Sequence, residues 1–221
     1  LAAARQHAEG EGLALSCIAT SRRYADPRTQ AQEVELTRRC IDLAAAVGSL
    51  CLRVFGGILA PGLTREAAVD LVAAALGAVA HHAEGAGVTV CMETHDDWCD
   101  PRHVAAVMEQ VGHPAVAVNW DVAHPVNRAG FSIPDSYRVL SRWVRHCHIH
   151  DLTPRAADGK QQLTWIGEGM VDHREAIRLL HGGGYQGHLS GEWIGRKPGY
   201  QEHLPRELAT LRRYEEELGI A

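Results

Sequence analysis

Apolar residues follow two alternating patterns along the chain. Short β-rich runs lie at 13–20, 50–57, 88–94, 115–121, 144–150 and 187–193. Between these runs, apolar residues recur at helical spacing, which predicts helices at 29–48, 64–87, 100–112, 134–142, 171–182 and 204–218, with a long loop from 151 to 170. The pattern therefore predicts six strands, each followed by a helix.

Repeated strand–helix units favour a parallel sheet, because each helix crosses back so that the next strand runs in the same direction. The two candidate architectures are a TIM-type (β/α) barrel and an open doubly wound sheet. No glycine-rich phosphate loop follows the first strand, and this favours the barrel. Such barrels normally have eight strands. We therefore expect a single α/β domain over residues 1–221 that lacks the first two of the eight βα units.

Acidic and histidine side chains lie at the carboxyl ends of four predicted strands. Side chains alternate between the two faces of a strand, so Glu93, Asp121 and Glu192 lie on the face opposite the large apolar residues, which pack against helices. Three histidines of VRHCHIHD share this inward face: His146, His148 and His150. Parity cannot choose among the three, but depth along the strand favours His148. Barrels of this type build their sites at these strand ends.

Clustered buried carboxylates are costly unless a cation compensates their charge. Two glutamates, one aspartate and one histidine offer mostly hard oxygen donors and one nitrogen. This set suits Mn²⁺ or Mg²⁺, with Co²⁺ or Zn²⁺ as alternatives. The sequence therefore predicts one divalent metal ion at this end of the barrel.

The segments around the strand ends resemble the xylose-isomerase-like TIM barrels, a group of sugar phosphate isomerases and epimerases that includes tagatose-type epimerases, hydroxypyruvate isomerases and inosose dehydratases. The resemblance runs from about residue 13 to the end and rests on METHDDW, NWDVAHP, VRHCHIHD, IGEGMVD and GYQGHLSGEW. It implies that the metal ligands are Glu93, Asp121, His148 and Glu192. It also implies that His124, which forms an Asp-x-x-His pair with Asp121, contacts the substrate.

The site and the resemblance together indicate a reaction class. A metal ion bound to adjacent oxygens of a hydroxy-ketone polarises the carbonyl and stabilises the enediolate that forms when a neighbouring C–H proton leaves. Glu93 and Glu192 would be the acid–base pair, one removing a proton and the other returning it. We therefore expect a sugar or sugar phosphate isomerase or epimerase. Dehydration of an inosose or a related hydroxy-ketone needs the same site and stays open.

Four further residues near the strand ends have two interpretations each. Arg53 has inward parity and binds a substrate hydroxyl or phosphate, or else forms a salt bridge within the barrel. His95, two residues after Glu93, contacts the substrate or has no part in the site. His150 and Asp151 orient His148 in a common arrangement for metal-bound imidazole, or Asp151 caps the following loop.

The net charge and the distribution of basic residues limit the classes of binding partner that we expect. The chain carries a formal charge of −5, its pI is near 6.3, and its lysines and arginines are dispersed. A nucleic acid partner is therefore not expected, which argues against an abasic-site endonuclease of the same barrel type. A barrel that binds metal without catalysis is a third alternative. The expected partner is a small sugar or polyol-derived ketone.

The cysteines and the apolar runs indicate the cellular compartment that we expect for the protein. Six cysteines form no Cys-x-x-Cys pair, and no signal peptide is visible, so we expect buried free thiols in a cytoplasmic protein. The longest apolar runs are too short and too interrupted to span a membrane. The amphipathic C-terminal helix packs on the barrel or, alternatively, forms a homodimer contact.

Overall fold

The computed structural model describes residues 1–193 and 198–220. Its helices are α1 (Ala2–Gly10), α2 (Gln30–Val47), α3 (Arg65–Ala86), α4 (Pro101–Val111), α5 (Ala123–Ala129), α6 (Ile133–Leu140), α7 (His173–Gly182) and α8 (Tyr200–Leu218). Its strands are β1 (Ile18–Arg23), β2 (Cys51–Phe55), β3 (Thr89–Glu93), β4 (Val116–Asp121), β5 (Val144–Ile149), β6 (Asp151–Leu152), β7 (Leu163–Thr164) and β8 (Leu189–Gly191). Short 3-10 helices follow β3 and α6, over Asp96–Trp98 and Ser141–Trp143.

One curled parallel sheet carries the fold. Its strand order is β1-β2-β3-β4-β5-β8, and every neighbouring pair is parallel. Its two edges approach each other at one end, where Ser16 Oγ, just before β1, lies 3.4 Å from Ser190 Oγ in β8. The two short strands β6 and β7 form a separate antiparallel pair. The predicted α/β TIM-barrel architecture is therefore confirmed, with six strands in the main sheet over the described part of the chain.

The outer face of the sheet packs against the helices. The strand residues on this face are fully buried, and they include Leu52, Val54, Val90, Met92, Val118 and Trp120. Helix α3 packs against β3 and β4 with a face of small and branched side chains, among them Ala68, Val72, Leu76 and Val79. Burial of this apolar area is the main stabilising term of the fold. It also fixes which side of each strand faces the barrel interior, because alternate residues must point the other way.

Helix ends follow the capping rules that the sequence indicates. Thr64 precedes α3, and its side-chain oxygen accepts a hydrogen bond from Ala67 N at 3.2 Å. Helices α2 and α3 end at Gly48 and Gly87, whose φ angles of 80° and 68° are left-handed and therefore favour glycine. The chain consequently leaves each helix after a defined turn and enters the next strand in register.

Several elements differ from the prediction, and the short strands β6 and β7 lie within the predicted loop 151–170. The first strand covers Ile18–Arg23 rather than 13–20. Among the described strands, β1 is an edge strand that pairs with β2, with a register shift between Ala19 and Arg23. Its polar end is therefore not required to pack against a second neighbour. Helix α5 was not predicted, because seven residues containing Pro125 give no helical period.

The expected state of the cysteines is confirmed, since all six are free thiols and four of them are buried. Among the described residues, no helix combines the length and the apolar character that crossing a membrane requires.

Candidate metal centre

The parallel register brings the carboxyl ends of β3, β4, β5 and β8 together. Asp121 pairs with His148 across β4 and β5. Glu192 directly follows β8, and its backbone N–H donates to the Ile149 carbonyl at 3.0 Å. One donor atom from each of Glu93, Asp121, His148 and Glu192 lies within 4.8 Å of the other three. These four side chains are the ligands that the sequence predicts, and the structure brings them to one point.

Burial differs among the four side chains. Glu93 and Asp121 are completely buried, and His148 is 5% exposed. The Glu192 side chain keeps 21% of its surface exposed. The cluster is therefore enclosed on the side of β3, β4 and β5 and reaches solvent beside Glu192, which is where a small molecule could enter.

A local turn orients the Asp121 carboxylate. Its Oδ1 accepts hydrogen bonds from the backbone N–H groups of Ala123 at 2.8 Å and His124 at 3.1 Å, at the start of α5. These bonds satisfy two of the free N–H groups at the helix start. The second oxygen, Oδ2, is buried and accepts no hydrogen bond from the described residues. In the Asp-x-x-His segment one carboxylate oxygen thus stabilises the turn, and the other points away from the turn, where it can coordinate a metal ion.

The two glutamates lie between a guanidinium and an imidazole. Glu93 Oε1 lies 3.1 Å from His148 Nδ1, and its Oε2 lies 3.0 Å from Arg53 Nε. Glu192 repeats this arrangement more loosely, with Oε2 at 3.8 Å from His148 Nδ1 and Oε1 at 3.6 Å from Arg53. Each glutamate therefore turns one oxygen toward the histidine and the other toward the arginine.

The buried groups fit a divalent cation. Three carboxylates and one guanidinium, from Glu93, Asp121, Glu192 and Arg53, leave a formal charge of −2, which one divalent ion would neutralise. Glu93 Oε2 and Asp121 Oδ2 are buried, and their ion-pair contacts with Arg53 and His150 do not have hydrogen-bond geometry. Buried oxygens of this kind are costly unless something coordinates them. The donor set of oxygens with one nitrogen suits Mn²⁺ or Mg²⁺.

Imidazoles surround the Asp121 side of the centre. His150 Nδ1 lies 3.3 Å from Asp121 Oδ2, and His124 Nε2 lies 3.9 Å from the same oxygen. Burial would raise the pKa of Asp121, but His124 and His150 together hold it below its ordinary value. The His124 ring also packs edge-on against His95, with centroids 4.6 Å apart. The predicted substrate residues His95 and His124 are thus in contact with each other and border the metal centre.

The structure shows the contacts of two residues, Arg53 and Asp151, for which the sequence left two interpretations open. Arg53 forms the salt bridge with Glu93 and Glu192, and its third nitrogen donates to the Thr20 carbonyl at 2.7 Å. Asp151 does not orient His148. Its carboxylate accepts backbone N–H bonds from the loop that follows, including those of Gly167, Gly169 and Val171, so it caps this loop.

His150 also differs from the expected arrangement. Its imidazole faces Asp121 rather than His148, because His150 follows the end of β5 and lies one layer further toward the rim than His148. Its contact with the centre is therefore through the aspartate.

Sequence reasoning missed two residues beside the site. Thr94 Oγ1 donates to the Asp121 carbonyl and accepts from the Asp121 N–H, both at 3.0 Å, and so ties the end of β3 to the end of β4. Asn119 is fully buried on the inner face, and neither of its side-chain polar atoms has a hydrogen-bond partner among the described residues. Its inward parity two residues before Asp121 was the available signal.

Comparison with known proteins identifies the family of this half-open barrel. The family model described as a xylose isomerase-like TIM barrel matches residues 1–214, and the chain belongs to this family. No curated protein matches it significantly.

Several solved structures share the fold. L-ribulose 3-epimerase superposes with a TM-score of 0.82 and 19% identity, over 98% of this chain and 80% of that chain. A xylose isomerase-like TIM barrel protein from Mycobacterium smegmatis in complex with magnesium gives 0.78 and 21%, over 98% and 78%. The probable 3-DHS dehydratase involved in petrobactin synthesis from Bacillus anthracis gives 0.77 and 18%, over 94% and 80%. At these identities the likeness shows the fold alone.

Proposed function

We propose that the protein is a metal-dependent isomerase or epimerase of a sugar or sugar phosphate. The observation that carries this proposal is the paired arrangement of Glu93 and Glu192, each with one oxygen toward His148 and one toward Arg53. Two carboxylates from strands on different sides of the centre can serve the two faces of a substrate. Family membership and the epimerase among the similar structures support the same reaction class.

Glu93, Asp121, His148 and Glu192 would hold the ion. When bound, a divalent cation supplies a Lewis acid that polarises the substrate carbonyl and makes the neighbouring C–H proton more acidic. Mn²⁺ and Mg²⁺ suit the three oxygen donors best, and Co²⁺ or Zn²⁺ would also accept this set. The magnesium complex of one similar structure is consistent with a hard cation here.

The side chains of this chain carry the proton transfers. In the proposal, one glutamate removes the proton from the carbon next to the carbonyl, and the other returns a proton to the same or the adjacent carbon. Return to the opposite face of the same carbon gives an epimer, and return to the neighbouring carbon gives an aldose–ketose isomer. Arg53 balances the charge of both glutamates, and His124 and His95 border the substrate as hydrogen-bonding groups.

Solvent deuterium exchange tests this proposal. Purified protein is stripped with a chelator, reloaded separately with Mn²⁺, Mg²⁺, Co²⁺ or Zn²⁺, and incubated in D₂O with a panel of ketoses, ketose phosphates and inososes. We expect deuterium at the carbon next to the carbonyl for at least one substrate, only in metal-loaded samples. Product analysis then separates epimerisation, isomerisation and loss of water.

Failure of exchange with every metal and substrate would overturn the proposal in favour of a metal-binding barrel without catalysis. Metal-dependent nicking of an abasic DNA duplex by the same preparation would instead assign the endonuclease activity. The six free thiols agree with our further proposal that the protein works in the reducing cytoplasm.

A further inference from the structure

A second set of metal-binding side chains lies inside the barrel, one layer below the centre described above. We call it the thiol layer and define it as Cys17, Cys51, Cys91 and His146. Cys51, Cys91 and His146 each precede a residue of the upper site by two positions, on β2, β3 and β5. Side chains two apart on a strand share a face, so all three point into the barrel interior. Cys17 lies directly before β1.

The donor atoms of this layer converge. One donor atom each from Cys17, Cys51 and His146 lies within 4.8 Å of the other two. Cys91 Sγ lies 3.3 Å from Cys51 Sγ. Around a tetrahedral zinc ion with Zn–S bonds of about 2.3 Å, neighbouring sulfurs are about 3.8 Å apart. Cys51 and Cys91 lie closer together than this, and Cys91 is outside the group of three donor atoms that lie within 4.8 Å of one another. Coordination by all four residues therefore requires side-chain movement, with Cys91 turning toward the other three.

His146 supplies an independent sign of a ligand. It is 1% exposed, and its Nε2 is buried with no hydrogen-bond partner within residues 1–193 and 198–220. An imidazole nitrogen without a partner in the interior carries a desolvation cost that a metal ion would remove. The nearby Ala117 packs with Cys51 and Cys91 and offers no polar group in exchange.

An entry path reaches the layer from the end of the barrel opposite the upper site. A cavity of about 630 Å³ is lined by Cys51 and His146 together with Ser16, Thr89 and His188. Thr89 and Leu50 mark the start of β3 and β2, so this cavity opens at the amino ends of the strands. An ion can therefore reach the thiol layer without passing the carboxylates of the upper site.

We propose that the thiol layer binds a soft or borderline cation, with Zn²⁺ as the expected ion, through Cys17, Cys51 and His146 and with Cys91 as the fourth donor. Thiolate and imidazole ligands select such ions over Mg²⁺ or Mn²⁺. Three sulfurs and one nitrogen form a closed set of four, which is typical of structural zinc sites. The ion would tie the segment before edge strand β1 to β2, β3 and β5.

The Cys17 thiol is uncharged in the absence of such an ion. The hydrogen bond with Cys51 and then burial raise the pKa of the Cys17 thiol far above its ordinary value. Binding must therefore release protons, as it does in other thiolate sites.

Cobalt titration tests the proposal. The wild-type protein is kept reduced with a phosphine and titrated with Co²⁺, and the near-ultraviolet thiolate-to-cobalt charge-transfer band is recorded. We expect this band to reach a plateau as Co²⁺ is added, and Co²⁺ bound at the carboxylate centre adds no thiolate band. Cys17→Ala should weaken the binding that produces it by at least about tenfold. The matched control is Cys40→Ala, another half-buried cysteine, which lies on α2 outside the layer and should leave the band unchanged.

X-ray absorption spectroscopy of the zinc-loaded wild-type protein identifies the atoms bound to zinc and requires no variant. We expect sulfur scatterers at about 2.3 Å from zinc. Zinc with only nitrogen and oxygen neighbours would overturn the proposal. The absence of a charge-transfer band in the reduced wild type would also overturn it, and so would an unchanged band in correctly folded Cys17→Ala. None of the ligands of the upper site carries sulfur, so these readouts do not depend on whether the proposed isomerase activity exists.

Discussion

Two inward-facing layers of the same barrel carry opposite donor chemistry. At the carboxyl ends of the strands, Glu93, Asp121, His148 and Glu192 supply mainly oxygen. Cys51, Cys91 and His146 lie two residues before Arg53, Glu93 and His148 on β2, β3 and β5, and they supply mainly sulfur. Two residues along a strand correspond to about 7 Å. The upper layer reaches solvent beside Glu192, but the thiol layer is enclosed except for the cavity beneath it.

This difference follows from what each position can accommodate. Charged oxygen donors are stable near the rim, where a guanidinium, imidazoles and an exchangeable cation compensate them. Neutral thiols are among the few metal ligands that can be buried without a partner ion at small cost. The upper layer is therefore suited to a catalytic metal ion, and the thiol layer is suited to a structural one. Substitutions in one layer should leave metal binding in the other layer unchanged.

The largest effect is expected for Glu192→Gln. The amide keeps the size of the side chain and one oxygen but cannot take up a proton, so deuterium exchange should fall by roughly 10²- to 10⁴-fold while some Mn²⁺ binding remains. The matched control is Glu109→Gln, which removes an exposed carboxylate from α4. Full exchange in Glu192→Gln would remove this residue from its proposed role.

Arg53→Met should destabilise the protein through the upper layer alone. Without the guanidinium, Glu93 and Glu192 are left uncompensated, and the free energy of unfolding of the metal-free protein should drop by about 3–5 kcal/mol. Added Mn²⁺ should restore part of the loss, because an ion that binds only the folded state stabilises it. Urea denaturation with and without Mn²⁺ measures both quantities.

The control for this variant is Arg102→Met, an exposed arginine that pairs only with Asp100 among the described acidic residues. A loss in Arg53→Met that Mn²⁺ does not reduce would show that the guanidinium acts independently of the metal centre.

Asp121→Asn should weaken Mn²⁺ binding by at least about 10- to 100-fold. The amide oxygen can still accept the Ala123 and His124 N–H bonds, so the turn into α5 is kept while the free carboxylate oxygen is lost. Electron paramagnetic resonance of free Mn²⁺ gives the affinity, with Asp135→Asn on the exposed part of α6 as the control. The cobalt band of the thiol layer should not change, and its loss would contradict the independence of the two layers.

The smallest effect is expected for Thr94→Val. The substitution keeps the shape of the side chain but removes both hydrogen bonds to the Asp121 backbone, at a cost of about 1–2 kcal/mol. Thermal unfolding should show a lower Tm. An unchanged Tm would mean that the bonds between Thr94 and Asp121 do not hold the ends of β3 and β4 together.

Parity along the strands limited the candidates to the inward residues, because the apolar faces of β3, β4 and β5 must pack against helices. The choice of His148 over His146 and His150 came from depth along the strand and from the family resemblance. Parity could not predict which inward residues of different strands lie at the same depth. That depends on strand register, which brings Asp121 level with His148 and leaves His150 beside Asp121. The convergence of the three cysteines was missed for the same reason.

The sequence predictions for local elements were wrong where tertiary contacts decide the structure. Helix α5 is short and contains Pro125, and it is fixed by the Asp121 carboxylate rather than by its own apolar pattern. Strand β1 starts later than its apolar residues suggest, because an edge strand is positioned by its single neighbour. The salt bridge of Arg53 needed coordinates, since the sequence offered substrate and carboxylate as equal partners.

The most direct test of the central claim is a crystal structure of the Mn²⁺-loaded protein with an anomalous difference map recorded at the manganese edge. The account predicts a peak about 2.0–2.6 Å from one donor atom each of Glu93, Asp121, His148 and Glu192. A manganese ion bound elsewhere, or a map without a peak between these four side chains at saturating Mn²⁺, would contradict it.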